Sequence, residues 1–524
     1  MSKIQVLDCT LRDGGYCNEW KFGETNIRHI VDGLTEAKIN IIECGFLNHK
    51  IEYKRNVTKF SNMGQIMPFI PQGERKSMYV LMANYGELDI DKLEPRSEST
   101  VDGLRIAFHK KDLNSALDLC KKVKEKGYEV FVQAMVSLNY TDEEFISLIK
   151  SSNEICPYAF YIVDSFGVMK QSDLIRLFYL VENNLDSSIK IGYHSHNNLQ
   201  LAYSNAQALA EIQTTRDLIF DSSIMGMGRG AGNLNTELFV EFLNTTEGLS
   251  YSLKPVLKLI DEIINKFYQD NYWGYSLPNY LSAKHNIHPN YAKYLADKNT
   301  LAIADMDAIF DKIERYKSVN YDKSYIEKLY FDYMKKGREN NEKLSLFNDR
   351  IRGKKVLLIA PGTSCESEKE TVISFAKNEG VVSISVNFDY KTVNTDYTFV
   401  SNIRRYNELD SLDKNNLIIT SNISEEECFI KVNYADLLNG RDRVSDNAGL
   451  MLIKLLIDLG VTEIYLAGFD GYSYEKDNYA EPEMNLTYRK EDSIKLNEEM
   501  SKVLMEYSKE VKINFLTTKK FLAI

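Results

Sequence analysis

The 524-residue sequence has few of the features that mark secreted, membrane-spanning or disulfide-bonded proteins. Its seven cysteines are an odd number and include no Cys-x-x-Cys pair, which favours reduced thiols over disulfides or a structural zinc site. No stretch of about 18 apolar residues occurs, so no membrane-spanning helix is expected. The first residues, MSKIQVLDCT, enter a strand-like pattern without the basic and apolar regions of a signal peptide. We therefore expect a soluble, cytoplasmic protein.

Charge and length narrow the class of protein further. Acidic and basic residues are interleaved and sum to a net charge of −11, so a basic surface for nucleic acid is not expected. A single hydrophobic core rarely grows beyond about 300 residues, and the chain should therefore form at least two domains.

The first half of the chain alternates short β-branched runs with longer amphipathic stretches, which is typical of parallel strands joined by helices. Eight such units in about 245 residues match the size and rhythm of a TIM (β/α)8 barrel. We assign this barrel to residues 1–245. Its predicted strands span 4–10, 40–46, 77–83, 101–108, 129–136, 159–165, 189–196 and 217–226.

Two further segments follow the barrel. The pattern is helical over 246–345, with amphipathic runs at 252–270 and 324–337, and we interpret this segment as a helical cap or linker. A second β/α pattern occupies 346–524 and predicts an open, Rossmann-like α/β domain. Its predicted strands span 355–362, 381–388, 396–402, 416–422 and 462–471.

Polar residues gather where the barrel strands end, and TIM barrels carry their chemistry at the C-terminal ends of the strands. His194 and His196, in GYHSHNNLQ, point the same way because they lie two apart in a strand. Asp13 follows the first strand, in LDCTLRDGGY, beside Arg12. One carboxylate and two imidazoles leave room on a divalent ion for a substrate, and Asn233, in GMGRGAGNLNTE, is a fourth candidate ligand. We therefore predict a metal site, with Arg12 helping to neutralise an enolate.

Each of these signals has an ordinary structural interpretation when it is taken alone. A histidine pair often lies hydrogen-bonded in a core, Arg12 and Asp13 can form a simple ion pair, and the glycines around Asn233 can form a tight loop. The metal interpretation depends on three signals that converge on one end of the barrel. For Asp8 and Glu43, a supporting role and contact with the substrate both stay open.

Five segments of the first half resemble, in order and spacing, the signature motifs of the metal-dependent TIM-barrel lyases. They are LDCTLRDGGY, IIECGF, YIVDSFGVM, GYHSHNNLQLAYSNA and GMGRGAGNLNTE. That superfamily includes 3-hydroxy-3-methylglutaryl-CoA lyase, α-isopropylmalate synthase and 4-hydroxy-2-oxovalerate aldolase, and the segments look most like the last branch. The resemblance covers residues 3–245. It implies a divalent cofactor, Mn2+ or Mg2+, bound by Asp13, His194 and His196, with Asn233 as a ligand or support.

The resemblance also implies a reaction, the cleavage of a 4-hydroxy-2-oxo acid into pyruvate and an aldehyde, or its reversal. The reaction would proceed through a metal-bound enolate that Arg12 stabilises. Asp164 and Ser165 match positions that line the pyruvyl pocket in that family. Glu43 and Tyr275 are further candidates for contact with the substrate.

One position departs from the family pattern. Where these aldolases carry a histidine that serves as general base for the 4-hydroxyl, this chain has Tyr16. A tyrosine with a pKa of about 10 is a poor base at neutral pH. Tyr16 can still bind the substrate hydroxyl, which leaves proton transfer to a metal-bound water or to Tyr275, His285 or His288 of the helical segment. Simple packing of those three residues in a cap is the alternative.

The second domain carries motifs of its own. VLLIAPGTSCESEKE predicts a strand, a glycine turn and a helix start, which can bind phosphate through backbone amides, although Gly-x-Gly-x-x-Gly and a Walker lysine are both missing. Together with SDNAGLMLIKLLIDLGVTEIYLAGFDG, this segment is similar to the Rossmann-like domains of bacterial sialyltransferases and their relatives in surface-polysaccharide synthesis. The similarity implies a nucleotide or nucleotide-sugar that faces Gly362, Thr363 and Ser364, with Asp470 at a strand end nearby. A domain for dimerisation or substrate capture is the alternative.

These patterns favour a cytoplasmic, metal-dependent pyruvate aldolase fused to a Rossmann-like domain, acting in the synthesis of a sugar acid for a surface glycan. Its partners would be a 2-oxo acid, an aldehyde and further copies of the chain in a homo-oligomer. One alternative is an acyl-CoA-dependent Claisen condensation like that of isopropylmalate synthase, which the absence of an Arg-Asp-Gly-Glu-Gln segment disfavours. The other is a non-catalytic binding protein that kept the metal ligands and lost the base.

Overall fold

The computed structural model describes residues 3–71, 75–97, 101–298, 301–334, 341–409, 413–423, 425, 427–441, 443–474, 477–481, 484 and 490–520. The chain divides into two compact units, and each is described by itself. The first contains Met1–Ala292 and Glu314–Tyr321, and the second contains Lys293–Ile313 and Asp322–Ile524. Both units therefore include parts of the segment 246–345 that the sequence assigns to a helical cap or linker.

The first unit contains the predicted parallel barrel. Eight strands follow one another around it, and the ring closes because the first strand pairs with both the second and the last. A two-residue strand adds to the rim beside the second. The strands are β1 Ile4–Asp8, β2 Ile41–Leu47, β3 Lys59–Phe60, β4 Met78–Asn84, β5 Gly103–Phe108, β6 Glu129–Ala134, β7 Ala159–Asp164, β8 Lys190–Ser195 and β9 Leu218–Ser222. The eight long strands fall on the predicted ones, and the predicted TIM fold is confirmed.

The barrel strands are apolar because both of their faces are covered. All five residues of β1 and all seven of β2 are buried. Alternate residues point into the barrel, where a compact inner cluster includes Leu7, Val80 and Ile219, and the others pack outward against the surrounding helices. Because both faces of each strand are buried, the strands of a parallel barrel are nearly continuous hydrophobic runs in the sequence.

Amphipathic helices surround the barrel. In α4, for example, Thr141 accepts from the Glu144 amide while the Glu144 side chain accepts from the Thr141 amide, which forms a capping box. Phe145, Leu148 and Ile149 then lie on one buried face. The helices of this part of the chain are α1 Gly15–Asn18, α2 Glu24–Glu36, α3 Leu113–Glu125, α4 Asp142–Ile155, α5 Gln171–Asn184, α6 Ala202–Ala210, α7 Thr236–Thr246, α8 Leu253–Leu259, α9 Asn265–Asp270, α10 Leu277–Lys284 and α11 Pro289–Ala296.

The helix predicted at 252–270 is continuous but not uniform, because a π-helical turn, Ile260–Ile264, separates α8 from α9. No described helix is long and apolar enough to cross a bilayer.

The second unit is built on a seven-stranded, all-parallel sheet, as the predicted Rossmann-like pattern requires. Its strands are β10 Lys355–Ile359, β11 Val381–Val386, β12 Tyr397–Val400, β13 Leu417–Thr420, β14 Ile430–Val432, β15 Glu463–Ala467 and β16 Lys512–Phe515. Its helices are α12 Ile303–Phe310, α13 Lys323–Met334, α14 Asn341–Ile351, α15 Ser364–Ser367, α16 Lys369–Ala376, α17 Ile403–Glu408, α18 Ala448–Asp458 and α19 Lys490–Tyr507. The last residues of the run predicted at 324–337 lie outside the described residues.

The strand order of this sheet is β14-β13-β12-β11-β10-β15-β16. From β10 the chain first adds strands on one side and then, with β15, on the other side, so the order of connection reverses between β10 and β15. Open α/β sheets bind ligands in the crevice at such a reversal. Two strands, β14 and β16, were not predicted, and they form the two edges of the sheet.

Candidate metal centre and active site

The structure brings Asp13, His194 and His196 together at the C-terminal end of the barrel. Asp13 lies in the loop after β1, His194 is in β8, and His196 directly follows that strand. One ligand atom from each lies within 4.8 Å of the others. The three residues are 1%, 5% and 5% exposed. The sequence spacing thus corresponds to one buried cluster.

A carboxylate that the sequence reasoning did not single out orients His194. Asp221, in β9, has its Oδ2 2.8 Å from Nδ1 of His194, which leaves Nε2 of the ring available to an ion. Burial raises the pKa of Asp221, but the Arg105 guanidinium and the His194 hydrogen bond lower it overall. An ionised carboxylate behind a metal-binding histidine fixes its ring and increases its basicity.

Asn233 completes the cluster through both ends of its amide. Its Nδ2 donates to Oδ2 of Asp13 at 2.7 Å and to the Met227 carbonyl at 3.2 Å. Its Oδ1 is buried and has no hydrogen-bond partner among the described residues, and the same holds for Nδ1 of His196. Buried acceptors without a donor are costly, and a cation at this point would satisfy them.

The charge states also suit a cation. Burial raises the pKa of Asp13, but Arg12 and the two histidines lower it overall, well below its usual range. Burial lowers the pKa of His196 to about 3, with Asp13 opposing, so the imidazole is neutral, as a metal ligand must be. One carboxylate oxygen, two imidazole nitrogens and one amide oxygen form a donor set that suits a divalent ion.

Gly228 leaves the space that this arrangement needs. A Cβ at this position would lie 2.3 Å from Nδ2 of Asn233 and 2.8 Å from Oδ2 of Asp13. Any other residue would push apart the two side chains that hold the cluster together. The glycine-rich run after β9 therefore serves close packing against the cluster.

A buried network of charges links Arg12 to the histidines. Arg12 donates from Nε to Oε2 of Glu43 at 2.8 Å and from Nη1 to Asp13. Arg105, fully buried, reaches the same Glu43 oxygen at 2.8 Å and also pairs with Asp221. Two guanidinium groups thus face three carboxylates, and a divalent ion would offset the excess negative charge. Glu43, for which the sequence left a supporting role and substrate contact both open, joins the two arginines.

One donor of Arg12 has no partner among the described residues. Its Nη2 is buried and makes no hydrogen bond, while the rest of the guanidinium is held by Glu43 and Asp13. This N–H pair lies next to the Asp13–His194–His196 cluster and can donate to an oxygen of a bound substrate.

The predicted pocket residues Asp164 and Ser165 follow β7. The Asp164 carboxylate accepts from the backbone amides of Val168 and Met169 at 2.9 and 3.0 Å, so it shapes the loop. Burial raises its pKa to about 7 against these hydrogen bonds. The Ser165 hydroxyl accepts from the Val136 amide at 2.9 Å and keeps its own proton to donate.

Tyr16 lies towards the opening, where its ring is 40% exposed. The ring centroid is 4.7 Å from that of Trp20 and 5.5 Å from the Arg229 guanidinium carbon. Burial of the hydroxyl raises its pKa, with the Arg229 charge opposing. A phenol with a raised pKa is a still poorer base than a free one.

The other candidates for proton transfer are His288, His285 and Tyr275 of the helical segment, and they differ in burial and in contacts. His288 packs edge-on against Phe166, which follows Ser165, with the ring centroids 5.7 Å apart. Its Nδ1 accepts from the Asn290 amide at 3.1 Å, so the neutral ring carries its proton on Nε2. Burial lowers the pKa of His288 to about 3. His285 is the C-cap residue of α10, and Tyr275 is 50% exposed.

Three residues of this end of the barrel were not identified from the sequence. Asp221 supports His194, Arg229 lies beside Tyr16, and His109 directly follows β5. Burial, followed by the charge of Lys111, lowers the pKa of His109, and Arg229 acts in the same direction. The rule that chemistry gathers at strand ends also covers Asp221 and His109. The long cationic side chain in GMGRGAGN was the signal for Arg229.

In the second unit, the predicted phosphate loop is occupied by a side chain of the protein itself. The Asp470 carboxylate accepts from the Thr363 hydroxyl at 2.9 Å and from the Ser364 amide at 2.8 Å, and also from the Ser364 hydroxyl. A Cβ at Gly362 would lie 2.2 Å from the Gly468 carbonyl oxygen, so the glycine permits close contact between two loops. The Ser364 amide is therefore not available to a phosphate.

A cavity of about 190 Å³ lies beside these loops, at the reversal between β10 and β15. Its lining includes Asn387, Asn447 and Tyr472 together with Gly362 and Asp470. Of the predicted site residues, Gly362 and Asp470 thus line a cavity, whereas Thr363 and Ser364 are not among its lining residues.

A closed parallel barrel with a buried carboxylate, two imidazoles and an amide at its strand ends defines a (β/α)8 enzyme with a candidate divalent-metal centre. The comparisons with known proteins specify the family within that class. The family model described as HMGL-like matches residues 3–261. The chain is 31% identical over 265 residues to 4-hydroxy-2-oxovalerate aldolase from Thermomicrobium roseum, covering 49% of this chain and 70% of that protein. The chain belongs to the HMGL-like family, whose named relatives are lyase-type enzymes, and the predicted family is confirmed.

Two further similarities extend this result. Oxaloacetate decarboxylase from Mycobacterium tuberculosis is 26% identical over 254 residues, covering 45% of this chain and 69% of that protein. A variant of pyruvate carboxylase from Rhizobium etli superposes with a TM-score of 0.51 at 12% identity, covering 66% of this chain and 38% of that one. At that identity, the second similarity concerns the fold alone.

Proposed function

We propose that the protein is a divalent-metal-dependent pyruvate aldolase that cleaves or forms a 4-hydroxy-2-oxo acid. One observation carries the proposal: the buried, unpartnered Nη2 of Arg12 lies next to the Asp13–His194–His196 cluster. A preorganised donor beside a cation site is suited to the negative charge that develops on the oxygen of an enolate. The aldolase relatives of this family support the same reaction.

In the proposed reaction, Mn2+ or Mg2+ held by Asp13, His194, His196 and Asn233 would supply a Lewis acid that polarises the 2-oxo group. Arg12 donates to the oxygen on C2. The 4-hydroxyl loses its proton, the C3–C4 bond breaks, and its electron pair forms the enolate across C2 and C3. C4 becomes the carbonyl carbon of the aldehyde, and a proton added to C3 gives pyruvate. The reverse sequence forms the 4-hydroxy-2-oxo acid.

The hydroxyl proton needs an acceptor among the residues at the opening. Tyr16 has a raised pKa, and His288 holds its proton on Nε2 in the neutral form, so both are better donors than acceptors. His109 is neutral at pH 7 because its pKa is lowered. We therefore propose His109 as the acceptor and Tyr16 as a group that binds the substrate hydroxyl.

The assay measures pyruvate released from a panel of 4-hydroxy-2-oxo acids in the presence of Mn2+. Turnover should disappear with a chelator and with His194→Ala, while manganese binding by the wild type is followed separately by calorimetry. A protein that binds manganese but turns over no member of the panel would be a binding protein. Release of free thiol from acetyl-CoA would instead indicate a Claisen condensation.

Decarboxylation of a 2-oxo diacid is a second candidate reaction. It also breaks a C3–C4 bond and leaves pyruvate enolate, but carbon dioxide departs without a hydroxyl proton to remove. Tyr16, at the position where a base is expected, fits a reaction that needs no such base, and oxaloacetate decarboxylase is among the relatives. Carbon dioxide release from oxaloacetate that exceeds aldol cleavage would favour this candidate.

We further propose that the second unit binds a nucleotide or nucleotide-sugar in the cavity at the reversal between β10 and β15. The position of the cavity and the amide side chains of Asn387 and Asn447 support this assignment. A thermal-shift screen with nucleotides tests it, because a ligand that binds only the folded state raises its stability. A role in surface-glycan synthesis, a cytoplasmic location and a homo-oligomeric state stay predictions.

A further inference from the structure

Arg229 lies at the opening of the barrel, and the described residues give its side chain one hydrogen bond and one ring contact. Its Nη2 donates to the Ser165 carbonyl at 2.9 Å, and its guanidinium carbon is 5.5 Å from the centre of the Tyr16 ring. Arg229 follows Gly228, which touches the metal cluster. The guanidinium therefore spans the opening between the loop after β7 and the loop after β1.

Most of the hydrogen-bonding capacity of this guanidinium is unused. Its Nε is buried and has no hydrogen-bond partner among the described residues. A guanidinium has five N–H donors, and the described residues provide one acceptor for them. Hydrogen bonds from a guanidinium to an anion are stronger than neutral ones, so an anionic ligand that reaches this point would gain binding energy from the unused donors.

Arg12 and Arg229 are buried to different extents, and this difference indicates different roles. Arg12 is 5% exposed and lies beside Asp13 and the histidines, whereas Arg229 is half-buried and stacks near Tyr16, which is 40% exposed. A substrate whose 1-carboxylate and 2-oxo group lie at the inner cluster has one direction left for C4 and its substituent, the opening. That substituent then meets Arg229.

We propose that Arg229 binds an anionic group on the C4 substituent, so that the natural aldehyde is an acidic one that carries a carboxylate or a phosphate. This inference rests on the proposed aldolase function and adds a substrate class to it. It also bears on the choice between the two candidate reactions. A guanidinium on the departing carboxylate would stabilise the substrate and slow the loss of carbon dioxide, whereas a guanidinium on a carboxylate that stays attached to the aldehyde holds C4 in place.

The kinetic test compares aldehydes that differ only in the anionic group. Pyruvate consumption is followed with succinic semialdehyde against butanal, and with glyceraldehyde 3-phosphate against glyceraldehyde, which separates a carboxylate from a phosphate. The wild type should prefer the acidic member of at least one pair, measured as the ratio of the two kcat/KM values. Arg229→Met should lower that ratio by about 10-fold to 150-fold, the range for a lost hydrogen bond to a charged group.

Two further variants control this comparison. Arg229→Lys keeps the positive charge but not the planar guanidinium that can donate two parallel hydrogen bonds, and it should retain part of the preference. Arg176→Met removes an exposed arginine that pairs with Asp142 on the outer surface and should leave the ratio as in the wild type. An Arg229→Met protein with an unchanged ratio, or a wild type that does not discriminate within either pair, overturns the inference.

A binding measurement decides the inference even if no aldehyde is turned over. The Mn2+-loaded protein is titrated with 2-oxoglutarate and with 2-oxopentanoate, which have the same number of carbons and differ in the distal carboxylate. We expect 2-oxoglutarate to bind the wild type more tightly than 2-oxopentanoate does, and the two compounds to bind Arg229→Met with equal affinity. Equal affinities in the wild type refute the role of Arg229. Absence of carbon–carbon bond formation with every aldehyde, with this binding preference intact, refutes the aldolase function alone.

Discussion

Replacing Asp221 by asparagine removes one negative charge from the candidate metal centre while preserving its shape. In the wild type, Oδ2 of Asp221 accepts from both His194 and Arg105, whereas Oδ1 has no hydrogen-bond partner among the described residues. An asparagine can place its oxygen at the Oδ2 position and its NH2 group at the unused one. The hydrogen bond that orients His194 is then kept, and only the charge behind it is lost.

The expected effect of Asp221→Asn is weaker metal binding. Changes to groups that support a metal-binding histidine typically lower affinity about 10-fold to 100-fold, or about 1.4–2.7 kcal/mol. At an ion concentration about 100 times the wild-type Kd, bound ion stabilises the wild type by about 2.7 kcal/mol and the variant by only about 0.4–1.4 kcal/mol.

Calorimetric titration with Mn2+ and thermal unfolding with and without the ion measure these two quantities. Asp8→Asn is a matched control, because Asp8 is a buried barrel carboxylate whose partners are the Thr10 amide and the Thr236 hydroxyl. Its manganese affinity should equal that of the wild type. If Asp221→Asn also binds Mn2+ with unchanged affinity, the proposed link from Asp221 through His194 to the ion is wrong.

Three further predictions concern packing, pH and proton transfer. Gly228→Ala should weaken manganese binding in the same titration, because its Cβ would lie 2.3 Å from Nδ2 of Asn233; wild-type affinity would show that the loop can move away. The pKa of Asp164 is raised from 3.8 to about 7 by burial, so its proton stabilises the fold fully below about pH 4, and this contribution is lost as the pH rises through 7. Three pKa units correspond to about 4 kcal/mol. Urea unfolding should show a lower free energy of unfolding at pH 7.5 than at pH 4.5, and the difference should be smaller in Asp164→Asn. An equal difference in both proteins would contradict this role of Asp164. His109→Gln should lower kcat by about 100-fold to 10,000-fold and abolish the rise of the rate with pH through the His109 pKa, whereas Tyr16→Phe should mainly raise KM. A large loss of kcat in Tyr16→Phe alone would reverse the two roles.

The barrel was predictable because its signals are local. Each strand is a short apolar run that must be buried on both faces, and the eight runs, from β1 to β9 without the short β3, recur at the spacing of β/α units. The same locality limited the second sheet. The strands β14 and β16 lie at the two edges of that sheet, where a strand pairs on one side only, and their neighbours in the sheet define them.

The candidate site was predictable where residues lie close in the sequence or at strand ends. The parity of His194 and His196 set their common direction, and the position of Asp13 after β1 placed it at the same end of the barrel. The glycine turn at 362–364 was recognised, but the carboxylate that occupies it comes from Asp470, about a hundred residues later. No local pattern indicates that a side chain of the protein fills a loop suited to phosphate.

The fold class and the three residues of the candidate metal cluster followed from the amino-acid sequence, because periodicity and strand ends act over a few residues. The family followed from the resemblance of five segments to its motifs. The tertiary structure alone decided how the charges are arranged around that cluster. The links from Arg12 through Glu43 and Arg105 to Asp221 join side chains of different strands, and their distances depend on how the barrel closes. Burial likewise decides which donors of Arg12 and Arg229 are left without a partner, because only the packed chain removes the water that would otherwise satisfy them.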